Sequence, residues 1–241
     1  EITITKTKSK LVEGYVRNVL RASATRVDPL DPASFLSTSP WQIMAFDAEQ
    51  QYKAWLIHDA FSLHNVTLPR EIDVYTDFQQ TGYRNKVEFS WYGDVDEHGN
   101  ETLDLAFFRR GSKGKIIVDA CSLLPDSMMQ TARTIRDILH SQGVSARSLK
   151  TLLIRCDQTG KCAWQLYVTE QQTDWKNILQ HISKFPGPGP GIGGEVIYSD
   201  PRSPASRITE RIAQYGENAL QDTLRGVNFR YAIEGFFQVN I

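Results

Sequence analysis

The chain has 241 residues, enough for one large domain or two smaller ones. Hydrophobic residues make up 41% and charged residues 23%, ordinary values that exclude a disordered or collagen-like chain. The net charge of −1 is unevenly spread, with six basic against two acidic groups over residues 1–26 and two against eight over 27–80. A near-neutral total therefore argues neither for nor against an anionic partner.

Taken in chain order, Leu11 to Leu20 is rich in β-branched and aromatic residues and carries Gly14, as a bulged strand would. Asp28-Pro29-Leu30-Asp31-Pro32 reads as a break, with a first boundary near residue 30. Asp47 can cap a helix whose apolar positions 52, 55, 56, 60 and 63 share one face and which Asn65 and Pro69 end. This helix is expected to cross from the small N-terminal unit to the main body.

Residues 83–93 alternate, with Val87, Phe89 and Trp91 on one face and Lys86, Glu88 and Ser90 on the other. Residues 94–100 are turn chemistry, and 102–109 and 114–119 look like further strands. Asp126 opens a second helix with Met128, Ala132, Ile135 and Leu139 in line and Gly143 as its stop. Residues 149–156 and 162–169 form a hairpin around Asp157-Gln158-Thr159-Gly160. A third helix is expected over 174–184, a mobile loop over Pro186 to Gly191, and strands near 194–199 and 227–233. The pattern predicts an α+β fold whose main body is an antiparallel sheet with two packed helices.

The chemistry-bearing residues give few local signals. Cys156 and Cys162 flank the hairpin turn and can face each other, but with Cys121 and five scattered histidines they do not make a zinc set. Small buried hydrophobes account for these thiols better. Neither a phosphate-binding glycine loop nor a catalytic signature is present. The cluster Tyr83-Arg84-Asn85-Lys86 has two cations, an amide and an aromatic at a strand entrance, which suits phosphate and base contact and equally a solvated strand end. Lys6, Lys8 and Lys10 alternate and can line one face of a strand, or guard its edge.

Together these pieces resemble one family. Gly82-Tyr83-Arg84-Asn85-Lys86-Val87-Glu88-Phe89-Ser90 is similar to the Tyr-Arg-Asn-Lys motif of the S-adenosylmethionine-dependent RNA 5-methyluridine (uracil-C5) methyltransferases. Gly235-Phe236-Phe237-Gln238-Val239-Asn240 resembles the segment that leads into that family's methyltransferase domain, and 149–155 resembles its Leu-x-x-Leu-x-x-Arg strand. Lys6 to Pro29 resembles the second half of a TRAM domain, an OB-like β-barrel.

The resemblance implies methylation of a uridine in tRNA or rRNA. A cysteine thiolate adds to C6, C5 attacks the methyl group, and a base removes the C5 proton. In the family both catalytic groups follow the Phe-Phe-Gln-Val-Asn segment, so none of Cys121, Cys156 and Cys162 matches them and no catalytic residue is assigned. Gln238 matches the cofactor-contacting Gln. Tyr83, Arg84, Lys86 and Arg155, with Lys6, Lys8 and Lys10, are the expected RNA contacts. Where many members carry cysteines for a [4Fe–4S] cluster, this chain has Ser37-Thr38-Ser39-Pro40-Trp41-Gln42-Ile43-Met44, so neither an iron–sulfur cluster nor any other metal is expected.

The expected organisation is a partial TRAM-like barrel over 1–30, a connecting segment and helix over 31–70, a central RNA-binding domain over 71–234 and the start of the methyltransferase domain over 235–241. Both ends read as cut, which predicts an internal, inactive piece of a longer enzyme that still binds RNA. With no apolar run near the roughly 18 residues of a membrane span, no signal segment and too few cysteines for a disulfide framework, a cytoplasmic monomer that avoids membranes is expected. The alternative is a non-catalytic RNA-binding protein that keeps this scaffold. A soluble domain with protein partners is a third and weaker option.

Overall fold

In a computed structural model, which describes residues 1–185, 189 and 191–240, the elements run β1 (Ile2–Lys8), β2 (Leu11–Val16), α1 (Phe35–Thr38), α2 (Phe46–Ser62), β3 (Lys86–Tyr92), β4 (Asp104–Phe108), β5 (Lys115–Ile117), α3 (Asp126–Ser141), β6 (Leu149–Cys156), β7 (Cys162–Val168), α4 (Trp175–Ser183), β8 (Gly193–Tyr198), β9 (Glu210–Gly216), β10 (Ala219–Leu224) and β11 (Val227–Ala232). They divide into two compact units. One holds Glu1–Leu30 and Pro40–Tyr75; the other holds Asp31–Ser39 and the chain from Thr76 onward. Pro186, Gly187, Pro188 and Pro190 of the expected loop lie outside the described residues.

In the first unit β1 and β2 form an antiparallel hairpin with a register shift between Ile4 and Lys6. The bulge thus falls on β1, opposite Gly14, rather than on β2. A Cβ at Gly14 would press on the Thr3 carbonyl, so the glycine permits the close approach of the two backbones. Backbone bonds from Val27 N to the Ile43 carbonyl (3.1 Å) and from Ala45 N to the Thr25 carbonyl (2.7 Å) tie the end of this segment to the start of α2. Asp47 lies inside the first turn of α2, where a carboxylate complements the helix dipole, and Ala45 takes the cap position. The apolar positions Tyr52, Trp55, Leu56 and Leu63 are exposed. Period 3.6 records that a helix has an apolar face, not that anything lies against it.

In the second unit seven strands form one sheet in the order β5-β4-β3-β6-β7-β8-β9. The expected antiparallel sheet is corrected here: β7 and β8 are parallel, because α4 carries the chain back to the end of the sheet from which β7 started. Helices α3 and α4 cover one face, where Met128, Ile135, Leu139, Ile178 and Ile182 meet Phe89, Trp91, Leu152, Ile154 and Trp164. The hairpin β10–β11 covers part of the other face, with Leu220 and Tyr231 against Leu153, Ala163, Tyr167 and Ile197. Asp174 caps α4 by accepting from Asn177 N at 3.1 Å.

Candidate nucleic-acid interface

The chain enters β3 through a set of backbone bonds that fix the Tyr83–Lys86 cluster. Gly82, at φ +65, donates from N to the Ser122 carbonyl, and Arg84 N donates to the Leu123 carbonyl, both at 2.9 Å. Asp31 secures the far side of that segment, its carboxylate accepting from Ser122 N (2.9 Å) and Ser122 Oγ (2.7 Å). Tyr83 is half-buried and packs against the helix-side core.

Arg84 and Lys86 line a cleft of about 370 Å³ together with Ser37, Thr38, Phe107 and Val239. Glu88 also lines it and pairs with Lys86 Nζ at 2.8 Å. Arg84 has no ion pair among the described residues. Phe107 stacks on Phe89, with centroids 5.2 Å apart and planes 13° from parallel. A basic, hydroxyl-bearing cleft with an aromatic wall can take a phosphate and stack a base.

The motif at the other end of the sequence lies beside this cleft. Arg84 bridges to Asn240 in antiparallel fashion. Asn85 N donates to the Val239 carbonyl at 2.9 Å, and Asn85 Nδ2 donates to the Gln238 carbonyl at 3.0 Å. Gln238 is exposed; its Oε1 accepts from Val239 N at 3.3 Å, and its Nε2 has no partner among the described residues. An open amide donor on a fixed backbone fits a residue that holds a polar ligand.

Of the other expected RNA contacts, Lys6, Lys8 and Lys10 are exposed on the β1–β2 hairpin of the first unit, with Lys6 opposite Glu13, Lys8 opposite Leu11, and Lys10 in the turn. Arg155 is different. It is 1% exposed, its Nη1 donates to the Gly235 carbonyl at 3.0 Å, and its guanidinium lies 5.4 Å from the Tyr231 ring centre. Burial lowers its pKa from the usual arginine value, and the group stays charged.

A polar network that the sequence reading missed holds Glu234, the residue before Gly235. Arg211 Nη1 bonds the fully buried Glu195 at 2.5 Å, and Arg211 Nη2 bonds Glu234 at 2.7 Å. Gln165 Nε2 donates to both carboxylates, and Tyr167 OH donates to Gln165 Oε1. Burial raises the Glu234 carboxyl, but the bonds from Arg211 and Gln165 outweigh it and hold the group below the usual carboxylate range. The signal available was a glutamine and a glutamate, Gln165 and Glu195, each inside an otherwise apolar strand. Phe237 stacks on Tyr231 with centroids 4.0 Å apart and completes the anchoring of this segment.

Cys156 and Cys162 face each other across β6 and β7 as their spacing predicts. All three thiols are buried and free. Burial pushes Cys121 and Cys162 up and Cys156 to about 12, so none is a thiolate near neutrality. Among the described residues no three of His, Cys, Asp and Glu are grouped to hold a metal ion. No helix among them is long and apolar enough to cross a membrane.

No protein-family model matches the chain. It is 23% identical to an uncharacterized RNA methyltransferase of Chlorobaculum tepidum, over 98% of this chain and 53% of that protein. It is 21% identical to an uncharacterized RNA methyltransferase of Fusobacterium nucleatum, over 100% of this chain and 53% of that protein. The chain thus spans about half the length of the curated relatives it matches. In fold it is similar to a Pyrococcus abyssi tRNA (uracil-54, C5)-methyltransferase solved in complex with S-adenosyl-L-homocysteine: the TM-score is 0.68 at 13% identity, over 99% of this chain and 54% of that one. Over its whole length the chain is thus similar in sequence to RNA methyltransferases, and in fold to a tRNA (uracil-54, C5)-methyltransferase.

Proposed function

We propose that this chain is the RNA-holding part of an S-adenosylmethionine-dependent methyltransferase that forms 5-methyluridine in tRNA or rRNA. The observation that carries the reading is the pairing of Arg84 and Asn85 with Val239 and Asn240. It sets a cation-lined cleft beside the segment bearing Gln238, so RNA and cofactor meet along one short stretch of backbone.

In this reading Arg84 and Lys86 contact RNA phosphates, and Tyr83, where its half-buried ring is open, meets a base. The β1–β2 hairpin belongs to a TRAM-like barrel whose Lys6, Lys8 and Lys10 touch phosphates. Arg155 acts from inside, fixing Gly235. Gln238 presents its free Nε2 to the cofactor, which when bound supplies the methyl group. The nucleophile and base that the resemblance implies match no residue of this chain. Three buried, free thiols support a reducing, cytoplasmic setting.

The test is methyl transfer by the full-length protein to RNA lacking 5-methyluridine, with nucleosides identified by mass spectrometry. Formation of 5-methyluridine supports the reading. RNA binding without transfer would favour the non-catalytic alternative.

A further inference from the structure

Asn85 lies between the two cations of the cleft, yet its own polar groups are spent elsewhere. Its carbonyl accepts from Cys156 N at 2.9 Å, which fastens it to β6. Its N–H and its Nδ2 serve two consecutive carbonyls, those of Val239 and Gln238. Those carbonyls lie outside any named strand, and the donors they receive come from Asn85. A side-chain amide is suited to reach one carbonyl while its own backbone serves the next.

The residue is 4% exposed, and its Oδ1 is buried with no hydrogen-bond partner among the described residues. An orphaned buried acceptor costs stability. An apolar side chain of similar volume would avoid that cost but could not hold the Gln238 carbonyl. The amide is therefore kept for its donor, and what the donor fixes is the backbone of Gln238.

We propose that Asn85 is a positioning residue for Gln238, holding its main chain so that the side-chain amide stands ready for S-adenosylmethionine. This rests on the reading that Gln238 contacts the cofactor. Loss of the Nδ2 bond loosens the Gln238 carbonyl while the Asn85 N–H still holds Val239, and the cofactor must then order that peptide on binding.

The experiment is titration calorimetry of the full-length protein with S-adenosylhomocysteine, comparing wild type, Gln238→Ala, Asn85→Ala and the double variant, with RNA affinity measured alongside. Each single change is expected to weaken cofactor binding about three- to tenfold, the worth of one hydrogen bond. The double variant should be no weaker than the weaker single one, because Asn85 acts through Gln238. Asn85→Asp, which keeps shape but turns an acceptor toward the carbonyl, should lose at least as much cofactor affinity as Asn85→Ala, and RNA affinity, read in the uncharged Asn85→Ala and Gln238→Ala variants, should hold. Wild-type cofactor affinity in both Asn85 variants, additive losses, or a parallel fall in RNA affinity in the uncharged variants would each overturn the proposal. Unchanged affinity in Gln238→Ala would instead remove the cofactor reading, and the proposal with it.

Discussion

Arg155 and Gly235, 80 residues apart in sequence, are joined by a 3.0 Å bond from a buried guanidinium to a backbone carbonyl. An arginine at the end of a strand is read most easily as a surface cation. Here its charge is turned inward to hold the chain just before Phe236 to Asn240. Arg155→Met should destabilise the protein by about 1.5–3 kcal/mol, the range for a bond to a charged group. Hydrogen exchange over 235–240 should quicken while RNA affinity and its salt dependence stay put. A loss of RNA affinity without faster exchange would make Arg155 a direct contact.

Arg84 and Lys86 carry the opposite expectation. Both line the cleft, and each phosphate contact removed should lower the salt slope of RNA binding by about 0.7 for single-stranded RNA. Arg84→Ala and Lys86→Ala are checked by measuring affinity at several salt concentrations. Because Lys86 shares its charge with Glu88 at 2.8 Å, Arg84→Ala should have the larger effect. An unchanged slope in both would take them off the interface.

In the sheet, Gly194 stands beside Trp164 in the parallel register of β7 and β8. A Cβ at Gly194 would run into the buried indole. Gly194→Ala should therefore cost about 1–3 kcal/mol, the usual penalty for overpacking. Denaturant unfolding measures it. A second change, Trp164→Phe, should restore part of the loss by clearing space.

Much of this architecture was legible because burial writes a period into the sequence. Val87, Phe89 and Trp91 alternate, and Met128, Ala132, Ile135 and Leu139 recur at helical spacing, and all seven are buried. Strand β9 was missed because its Glu-Arg-Ile-Ala-Gln-Tyr-Gly carries little alternation at a sheet edge. The anchoring of Gln238 was hidden for another reason. Asn85, Arg155 and Arg211 act on backbone and carboxylate groups between 16 and 153 residues away, and such pairings leave no period. Motif resemblance pointed to both ends of the Asn85–Gln238 contact without indicating that they touch.

The Arg211 network gives the protein a pH dependence of definite sign. The Glu234 carboxyl is held below its usual range when folded. Its share of stability is thus present above the ordinary glutamate value near ~4.3 and lost as pH falls through the lowered folded value. Arg211→Met leaves the buried Glu195 without its cation. The cost should be about 2 kcal/mol, short of the ~3–5 of a fully buried pair, because the Arg211 side chain is 46% exposed. Thermal unfolding from pH 7 to 3 should show the gap between wild type and this variant narrowing as pH falls, because the variant lacks the cation that holds Glu234 low; a gap that stays constant or widens would contradict it.

The chemistry itself is tested most directly with RNA carrying tritium at uracil C5. A methyl group that replaces the C5 hydrogen must expel it, so the full-length protein should release one tritium to water for each methyl transferred from S-adenosylmethionine, and none without it. Methyl transfer with the tritium retained, or RNA binding with neither event, would contradict the account.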